Sequence, residues 1–503
     1  MDFNIASNKF YLRPIFKYLL VLLVATGVAY LVYQNSFKGF ILPAVLPFVG
    51  LFFVAFYKNP KIGLFVVTGI SFSLSFFGRY YPVNFPIGLA IDLLMVLNYI
   101  ILVLRHWKHL NFKLAGNLYT FLMCLWMFYI ILQLGNPEAV SKQAWFYAMR
   151  SMGLYQFLSV PLALVLLNTK KDFKNYFILW IVFSLLGAFW GIKQLFYGVS
   201  ETEQLWLNMG AYRTHLIYGK LRVFSYYSDA GTFGAAMGQI AVMMFILCLG
   251  PFSNKKRVVF GIVGLITFYA LMISGTRGAL AVPAVGGMLY IVMIRNTKIF
   301  STTLIVLALG FSFLRFTTIL NTNYEVYRLR TSVRPSEDAS FALRVMNRKL
   351  LSEYLKGKPF GGGVGACGFW GARFSPNTWL GQFPPDGLYT KLRAETGIVG
   401  RNLYVGIWLL ILAYGVRITW RLKNQEYKTY CMAILAGFAG IMLANYGNEV
   451  LNSHPISMTS YIALTFVFSI RYWDEKGNVK LPKGEVPIAG RLEPKTTWGD
   501  EAS

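Results

Sequence analysis

Apolar stretches of about twenty residues recur along almost the whole 503-residue chain, and they constrain its fold more than any other feature. A helix needs about 20 residues to cross a bilayer, and a chain inside lipid must satisfy its own backbone hydrogen bonds as a helix or a closed barrel. The stretches do not alternate with polar residues, which favours helices over barrel strands. Charged residues make up 14% of the chain, against roughly 25% in soluble domains. The sequence therefore predicts an all-α polytopic membrane protein.

The stretches divide the chain into about 14 predicted transmembrane helices, within a range of 12–14. They cover approximately residues 15–33, 39–57, 62–78, 86–104, 115–133, 152–167, 176–193, 232–250, 258–274, 279–294, 301–314, 398–416, 429–447 and 455–470. This division predicts helices 1–11 within residues 1–314, one large and partly helical loop at 315–397, helices 12–14 within 398–471, and a flexible cytoplasmic tail at 472–503. A basic N-terminus without a small-residue cleavage site predicts that the first helix is retained.

Lysine and arginine collect in every second short connection, which predicts that both termini are cytoplasmic. Examples are the connections around Lys255–Arg257 and Arg417–Lys423. The formal net charge of +27 then follows largely from topology, and we expect no nucleic-acid partner. The same orientation puts three longer connections, 134–151, 194–231 and 315–397, on the outer face.

The loop at 315–397 carries many more arginine and lysine residues than aspartate and glutamate, against the topological bias. Arginine forks bind phosphate through two hydrogen bonds, so an anionic lipid-linked substrate would explain these residues. Contact with lipid headgroups or with solvent is the alternative explanation. Aromatic side chains of the loop are candidates for stacking on sugar rings: Trp370, Trp379, Phe383 and Tyr389.

Four arginines are the candidate phosphate ligands. Arg277 lies in the Ser274–Ala279 turn between two predicted helices, where a charge indicates a functional role or a side chain that snorkels to the headgroups. Arg344 and Arg348 lie on a helical stretch of the large loop, where a solvated helix face is the alternative. Arg222 precedes a predicted helix in a smaller outer loop.

Three residues are the candidate proton acceptors on the outer face. Asp386 could act as a general base or as an ion-pair partner of the neighbouring arginines. His215 and His454 are the histidines that the predicted topology puts outside, and each could be a base or a structural residue. The glycine-rich segment 358–369 lacks the ending of a P-loop, so it is either a plain turn or a set of amides for a phosphate.

These segments, in this order, resemble the O-antigen ligase and O-antigen polymerase superfamily of membrane glycosyltransferases. The similar parts are Arg222–Ser225 with Asp229–Gly234, the SGTRGA turn at 274–279, the helix of Arg344, the KPFGGGVGACGF turn at 358–369, and the GLYTKLRAETGIVG segment at 387–400. The resemblance covers residues 220–416.

The resemblance implies a bacterial inner-membrane enzyme with its active face in the periplasm. Such an enzyme takes a glycan from undecaprenyl pyrophosphate and passes it to lipid A core, to another glycan repeat in lipopolysaccharide or polysaccharide biosynthesis, or to a protein. It needs no metal and no cofactor. Arg277 and Arg344 match the family's arginines that hold the diphosphate, and Arg222 and Arg348 would assist them. The family's catalytic histidine corresponds here to Asp386, so the base is Asp386, His454 or His215.

Three other functions remain open at this point. A flippase for lipid-linked oligosaccharides would also have many membrane helices, but it should show two similar halves and charges spread through a central cavity. A protein O-oligosaccharyltransferase would share the superfamily and differ in its acceptor, and a non-catalytic assembly protein would retain the fold without the chemistry. Basic residues on one face and one dominant loop favour the transferase.

Overall fold

The computed structural model describes residues 47–81, 88–106, 112–217, 219–295, 297–319, 330 and 339–475. The predicted helix at 15–33, the start of the one at 39–57, much of the first part of the 315–397 loop and the tail beyond 475 lie outside the described residues. The chain divides into two compact units, residues 1–62 and residues 63–503.

Helices make up nearly all of the described secondary structure. They are α1 (Pro47–Lys58), α2 (Lys61–Tyr80), α3 (Gly88–Ile101), α4 (Leu118–Leu132), α5 (Lys142–Leu166), α6 (Lys170–Tyr197), α7 (Glu201–Trp206), α8 (Tyr212–His215), α9 (Ala230–Cys248), α10 (Asn254–Ile273), α11 (Ala281–Ile294), α12 (Thr297–Phe316), α13 (Ala339–Tyr354), α14 (Gly368–Phe374), α15 (Trp379–Gln382), α16 (Leu388–Arg421), α17 (Gln425–Ala444) and α18 (Ile456–Glu475). Two short strands, β1 (Leu216–Ile217) and β2 (Lys220–Leu221), form an antiparallel pair.

Among the described residues, nine helices are long and apolar enough to cross a membrane, and three shorter apolar helices accompany them. This confirms the prediction of an all-α membrane protein. The predicted number of 14 includes a helix at 15–33 that lies outside the described residues. Within residues 63–503, α9 and α17 are the most enclosed of the nine, so the core of this unit forms around them.

Polar residues fix where several of these helices begin. The Asn117 side chain accepts a hydrogen bond from the backbone amide of Thr120 at the start of α4, and Asp229 accepts from the amide of Thr232 at the start of α9. Thr169 and Asp172 form a reciprocal capping box at the start of α6. Each cap satisfies an amide that would otherwise have no partner in the first helical turn.

Two helices begin earlier than their apolar stretches indicate. α5 starts at Lys142, capped by Ser141, rather than at 152. α16 starts at Leu388 rather than at 398, and it is interrupted at Gly397, where φ is 68° and ψ is −167°. Charged side chains in these first turns hide the helix from a search for apolar residues, because hydropathy reports contact with lipid and not helicity. The loops at 134–151 and 315–397 are correspondingly shorter than predicted.

The connections that the charge pattern assigns to one side of the membrane contact one another. Arg79, near the end of α2, donates hydrogen bonds to the carbonyl oxygens of Ser225 and Ser228 before α9, each 3.0 Å long. Lys358 of the large loop pairs with Glu138, which lies between α4 and α5, at 2.7 Å.

The connections assigned to the other side contact one another as well. The Arg295 guanidinium lies 3.8 Å from the ring centre of Trp420 at the end of α16. Phe252, before α10, packs against Tyr430 of α17 with ring centres 5.3 Å apart. Each of these contacts joins connections that the sequence assigns to the same side of the membrane.

Candidate functional site

A short turn between α17 and α18, residues 445–448, lies at the centre of the candidate site. The amide of Leu388 donates to the carbonyl oxygen of Asn445 at 3.0 Å, which attaches the start of α16 to this turn. Gly387 has a φ of 130°, and a Cβ there would lie 2.7 Å from the carbonyl oxygen of Tyr446. The close approach requires glycine, and it fixes Asp386 immediately beside the 445–448 turn.

Asp386 is partly buried and is held by the large loop. The Nδ2 atom of Asn347, on α13, donates a hydrogen bond of 3.0 Å to its Oδ2 atom. One of the two predictions for Asp386 is an ion pair with an arginine. Its carboxylate instead accepts a hydrogen bond from a neutral amide. An acceptor oxygen oriented in this way suits a general base.

Arg348 attaches α13 to the same turn. It donates to the carbonyl oxygen of Tyr446 at 3.1 Å and to Oγ1 of Thr390 at 3.3 Å, and its guanidinium lies 3.8 Å from the ring centre of Tyr446. Arg344 lies one turn earlier on α13, and its partly exposed side chain makes no hydrogen bond or ion pair with the part of the chain that the structure describes. Arg348 therefore holds the fold together, whereas the Arg344 side chain is available to bind a ligand.

Arg277 and Arg222 are linked through the SGTRGA turn at 274–279, which contains Arg277 and is bonded by Arg222. Arg277 opens a 3₁₀ turn, Arg277–Leu280, and is partly exposed. Arg222 donates to Oγ1 of Thr276 at 2.7 Å, and Thr276 donates to the carbonyl oxygen of Ala230 at 2.9 Å. The SGTRGA turn is thereby fixed to the start of α9.

Asn448 links these two halves of the site. A Cβ at Gly231 would lie 2.5 Å from its Nδ2 atom, and a Cβ at Gly278 would lie 3.9 Å from it. The 445–448 turn therefore touches the start of α9, the Arg277 turn, α13 and the start of α16. Asn347 and Asn448 are functional candidates that the sequence did not reveal, because neither asparagine belongs to a pattern that indicates a site.

His215 is occupied by the fold. Its Nε2 atom accepts a hydrogen bond from the amide of Ala230 at 3.3 Å, so the ring proton is on Nδ1, where it is donated to the carbonyl oxygen of Ala211 at 3.0 Å. Burial lowers the pKa of His215, and the ring packs between Trp206 and Phe224. Both nitrogens serve the structure, which argues against a role for His215 as the base.

His454 lies in the connection between α17 and α18, away from the hydrogen bonds around Asp386. Its ring centre is 5.0 Å from that of Tyr155, and its Nδ1 atom lies 3.4 Å from Oγ of Ser457. Burial first and the charge of Arg150 second lower the pKa of His454 to about 4. A neutral imidazole surrounded by α5 and α18 fits a structural role better than a catalytic one.

The glycine-rich segment attaches the large loop to α16 and to the α4–α5 connection. The amides of Gly362 and Gly363 donate to the carbonyl oxygens of Ala394 and Glu395, both at 2.9 Å. The Asn136 side chain donates to the carbonyl oxygen of Phe360 at 3.1 Å. These two amides, at least, are used within the fold, so the structure favours the plain turn over a phosphate cradle.

Three of the four aromatic residues expected to bind sugar stack on other aromatic rings. Trp370 stacks on Tyr147 at 4.8 Å, and Trp379 stacks between Tyr354 at 4.4 Å and Phe383 at 5.0 Å. The Tyr389 hydroxyl donates to the carbonyl oxygen of Met442 at 2.5 Å. These contacts use part of the ring surface that the sequence suggested for a glycan.

A cleft of about 160 Å³ opens beside Arg348, and Thr390, Arg393, Arg401 and Tyr446 are among the residues that line it. Arg401 was not a candidate from sequence, although an arginine just inside an apolar stretch is a signal that could have identified it. Among the described residues, no cluster of three or more histidine, cysteine, aspartate or glutamate side chains could hold a metal ion. No known protein-family profile matches the chain, and none of the curated proteins matches it.

Proposed function

We propose that the protein transfers a glycan from undecaprenyl pyrophosphate to an acceptor hydroxyl at the periplasmic face of a bacterial inner membrane. The observation that carries the proposal is the 445–448 turn, which touches the segment of Asp386, the helix of Arg344 and the turn of Arg277. A carboxylate and several arginines around one turn at the end of apolar helices suit a reaction whose leaving group is an anionic lipid.

The reaction is a single displacement at the anomeric carbon. The acceptor hydroxyl forms a new bond to that carbon, its proton passes to the Asp386 carboxylate, and the bond to the lipid diphosphate breaks. Arg277 and Arg344 bind the diphosphate and neutralise the charge that develops on it, and Arg222 supports the Arg277 turn through Thr276. Asn347 is the positioning residue that orients the carboxylate.

Transfer by the full-length protein in lipid nanodiscs tests this proposal. The donor is an undecaprenyl-pyrophosphate glycan, the acceptors are candidate glycans, lipids and peptides, and the readouts are product and released lipid pyrophosphate. We expect Arg277→Ala and Asp386→Asn each to lower the rate by about 10²-fold or more, because each removes a group that acts in the transition state. Arg373→Ala is the matched control, since Arg373 is exposed on α14 and outside the proposed machinery.

The remaining outcomes separate the alternatives. A wild-type rate in both variants would remove these two residues from the mechanism. Movement of intact lipid-linked glycan across the bilayer, with no release of pyrophosphate in the presence of any acceptor, would establish a flippase instead. Transfer to peptide alone would identify a protein O-oligosaccharyltransferase.

A further inference from the structure

The arginine cleft beside α16 has the size of a small anion site. Its volume is about 160 Å³, several times the roughly 30 Å³ that one water molecule occupies in the liquid. Its walls include Leu351 and Thr390 and three arginines, Arg348, Arg393 and Arg401. None of the described residues that line it is acidic.

Two of the three arginines are not used to hold the fold together. Arg348 does hold the fold together, because it donates hydrogen bonds to Thr390 and Tyr446. Arg401 donates only to Asn402, its neighbour in sequence, at 2.9 Å, and Arg393 makes no hydrogen bond or ion pair with any described residue. Positive charges held together without a carboxylate repel one another, and an anion in the cleft would remove that repulsion.

Exposed apolar side chains continue from the cleft along the same helix. Ile398 and Val399 are 46% and 40% exposed, and Leu409 and Leu410 are 57% and 55% exposed. Eleven residues are close to three helical turns, so Ile398 and Leu409 lie on one face of α16. This helix is long and apolar enough to cross a membrane. A phosphate in the cleft would therefore have an apolar helix face beside it.

We propose that Arg393 and Arg401 bind the phosphate of an anionic membrane lipid, whose acyl chains lie along the Ile398 and Leu409 face of α16. The Tyr446 ring and Leu351 close the sides of the cleft. The site adjoins the 445–448 turn but includes neither Arg277 nor Arg344, and its proposed role does not depend on transferase activity. The same phosphate chemistry could also come from inorganic phosphate or from a polyprenyl diphosphate.

Native mass spectrometry of the full-length protein in detergent tests the proposal, with phosphatidylglycerol as the probe. We expect Arg393→Gln with Arg401→Gln to weaken binding of the first phosphatidylglycerol by roughly tenfold or more, because charge-assisted hydrogen bonds are lost. Lys349→Gln with Arg373→Gln removes the same charge from exposed positions and should leave that affinity unchanged. Arg393→Lys with Arg401→Lys keeps the charge without the forks and should give an intermediate affinity.

Two further probes distinguish the sources of the phosphate. Undecaprenyl pyrophosphate should bind the wild type and the double glutamine variant equally, and millimolar inorganic phosphate should not displace phosphatidylglycerol. Unchanged phosphatidylglycerol binding in the double variant would overturn the proposal. Loss of undecaprenyl pyrophosphate binding instead would assign the cleft to the donor, and displacement by inorganic phosphate would assign it to a free anion.

Discussion

At the scale of single residues, the two histidines show how a candidate base becomes a structural group. The Nε2 atom of His215 accepts a hydrogen bond from the amide at the start of α9, and its Nδ1 atom donates one to a carbonyl oxygen. His454 packs on Tyr155 in a site that lowers its pKa to about 4. Asp386 differs, because its hydrogen bond to Asn347 orients a carboxylate that is only partly buried.

The low pKa of His454 predicts a specific acid sensitivity. An exposed histidine in the unfolded chain has a pKa of about 6.5, whereas folded His454 has a pKa of about 4. Between these values the unfolded state binds a proton that the folded state does not, so the free energy of unfolding falls as the pH falls. We expect His454→Gln to reduce this slope by up to about 1.4 kcal/mol per pH unit, measured by chemical unfolding in detergent. If the free energy of unfolding depends on pH in the same way in the wild type and the variant, His454 is not held neutral in the folded protein.

At the scale of elements, the site depends on how the large loop is attached to α16. The glycine-rich segment, the break at Gly397 and the contacts of α13 with Thr390 and Tyr446 hold the loop against the start of this helix. The partly buried ion pair between Lys391 and Glu449, 2.7 Å long, joins α16 to the connection that follows the 445–448 turn. The positions of Arg344, Arg348 and Asp386 therefore depend on one assembly of elements.

Substitution at the break in α16 tests this dependence. Gly397 combines a φ of 68° with a ψ of −167°, a region that is essentially restricted to glycine. A Cβ there would also collide with the carbonyl group of Pro359. We expect Gly397→Ala to lower the free energy of unfolding by at least about 1–3 kcal/mol from backbone strain alone, measured by thermal unfolding in detergent.

The matched control lies in the same helix. A Cβ at Gly406 would meet nothing within 4 Å, so Gly406→Ala should be neutral or stabilising by up to about 1 kcal/mol. Equal stability of the two variants would mean that the break at Gly397 is not required.

At the scale of the whole molecule, the alternation of basic loops predicts two sets of helix connections, one on each side of the membrane. Each set makes contacts within itself, through Arg79 and Lys358 on one side and through Arg295 and Phe252 on the other. The proposed catalytic residues and the proposed lipid site belong to the set that the charge pattern puts outside.

Cysteine labelling tests the orientation of these two sets. In a variant without Cys124 and Cys248, Lys356→Cys should react with a membrane-impermeant maleimide in intact spheroplasts. Lys356 is exposed, and it belongs to the 315–397 loop that the charge pattern puts outside. Lys256→Cys should react only after lysis, because Lys256 is exposed at the start of α10 in a connection that the charge pattern puts inside. The reverse pattern would invert the topology and exclude a periplasmic site.

The sequence by itself determined the class of fold and the location of most helices, because bilayer thickness imposes a length and a composition that can be seen in any single stretch. It also identified Arg277, Arg344 and Asp386 as candidates, through their charge and through the resemblance of their segments to a family of membrane glycosyltransferases. The tertiary structure decided which segments meet at the 445–448 turn. The 445–448 turn, Asn347, Asn448 and the cleft of Arg393 and Arg401 arise from contacts between residues far apart in the chain. Such contacts depend on the packing of whole elements, which leaves no periodic trace in the sequence.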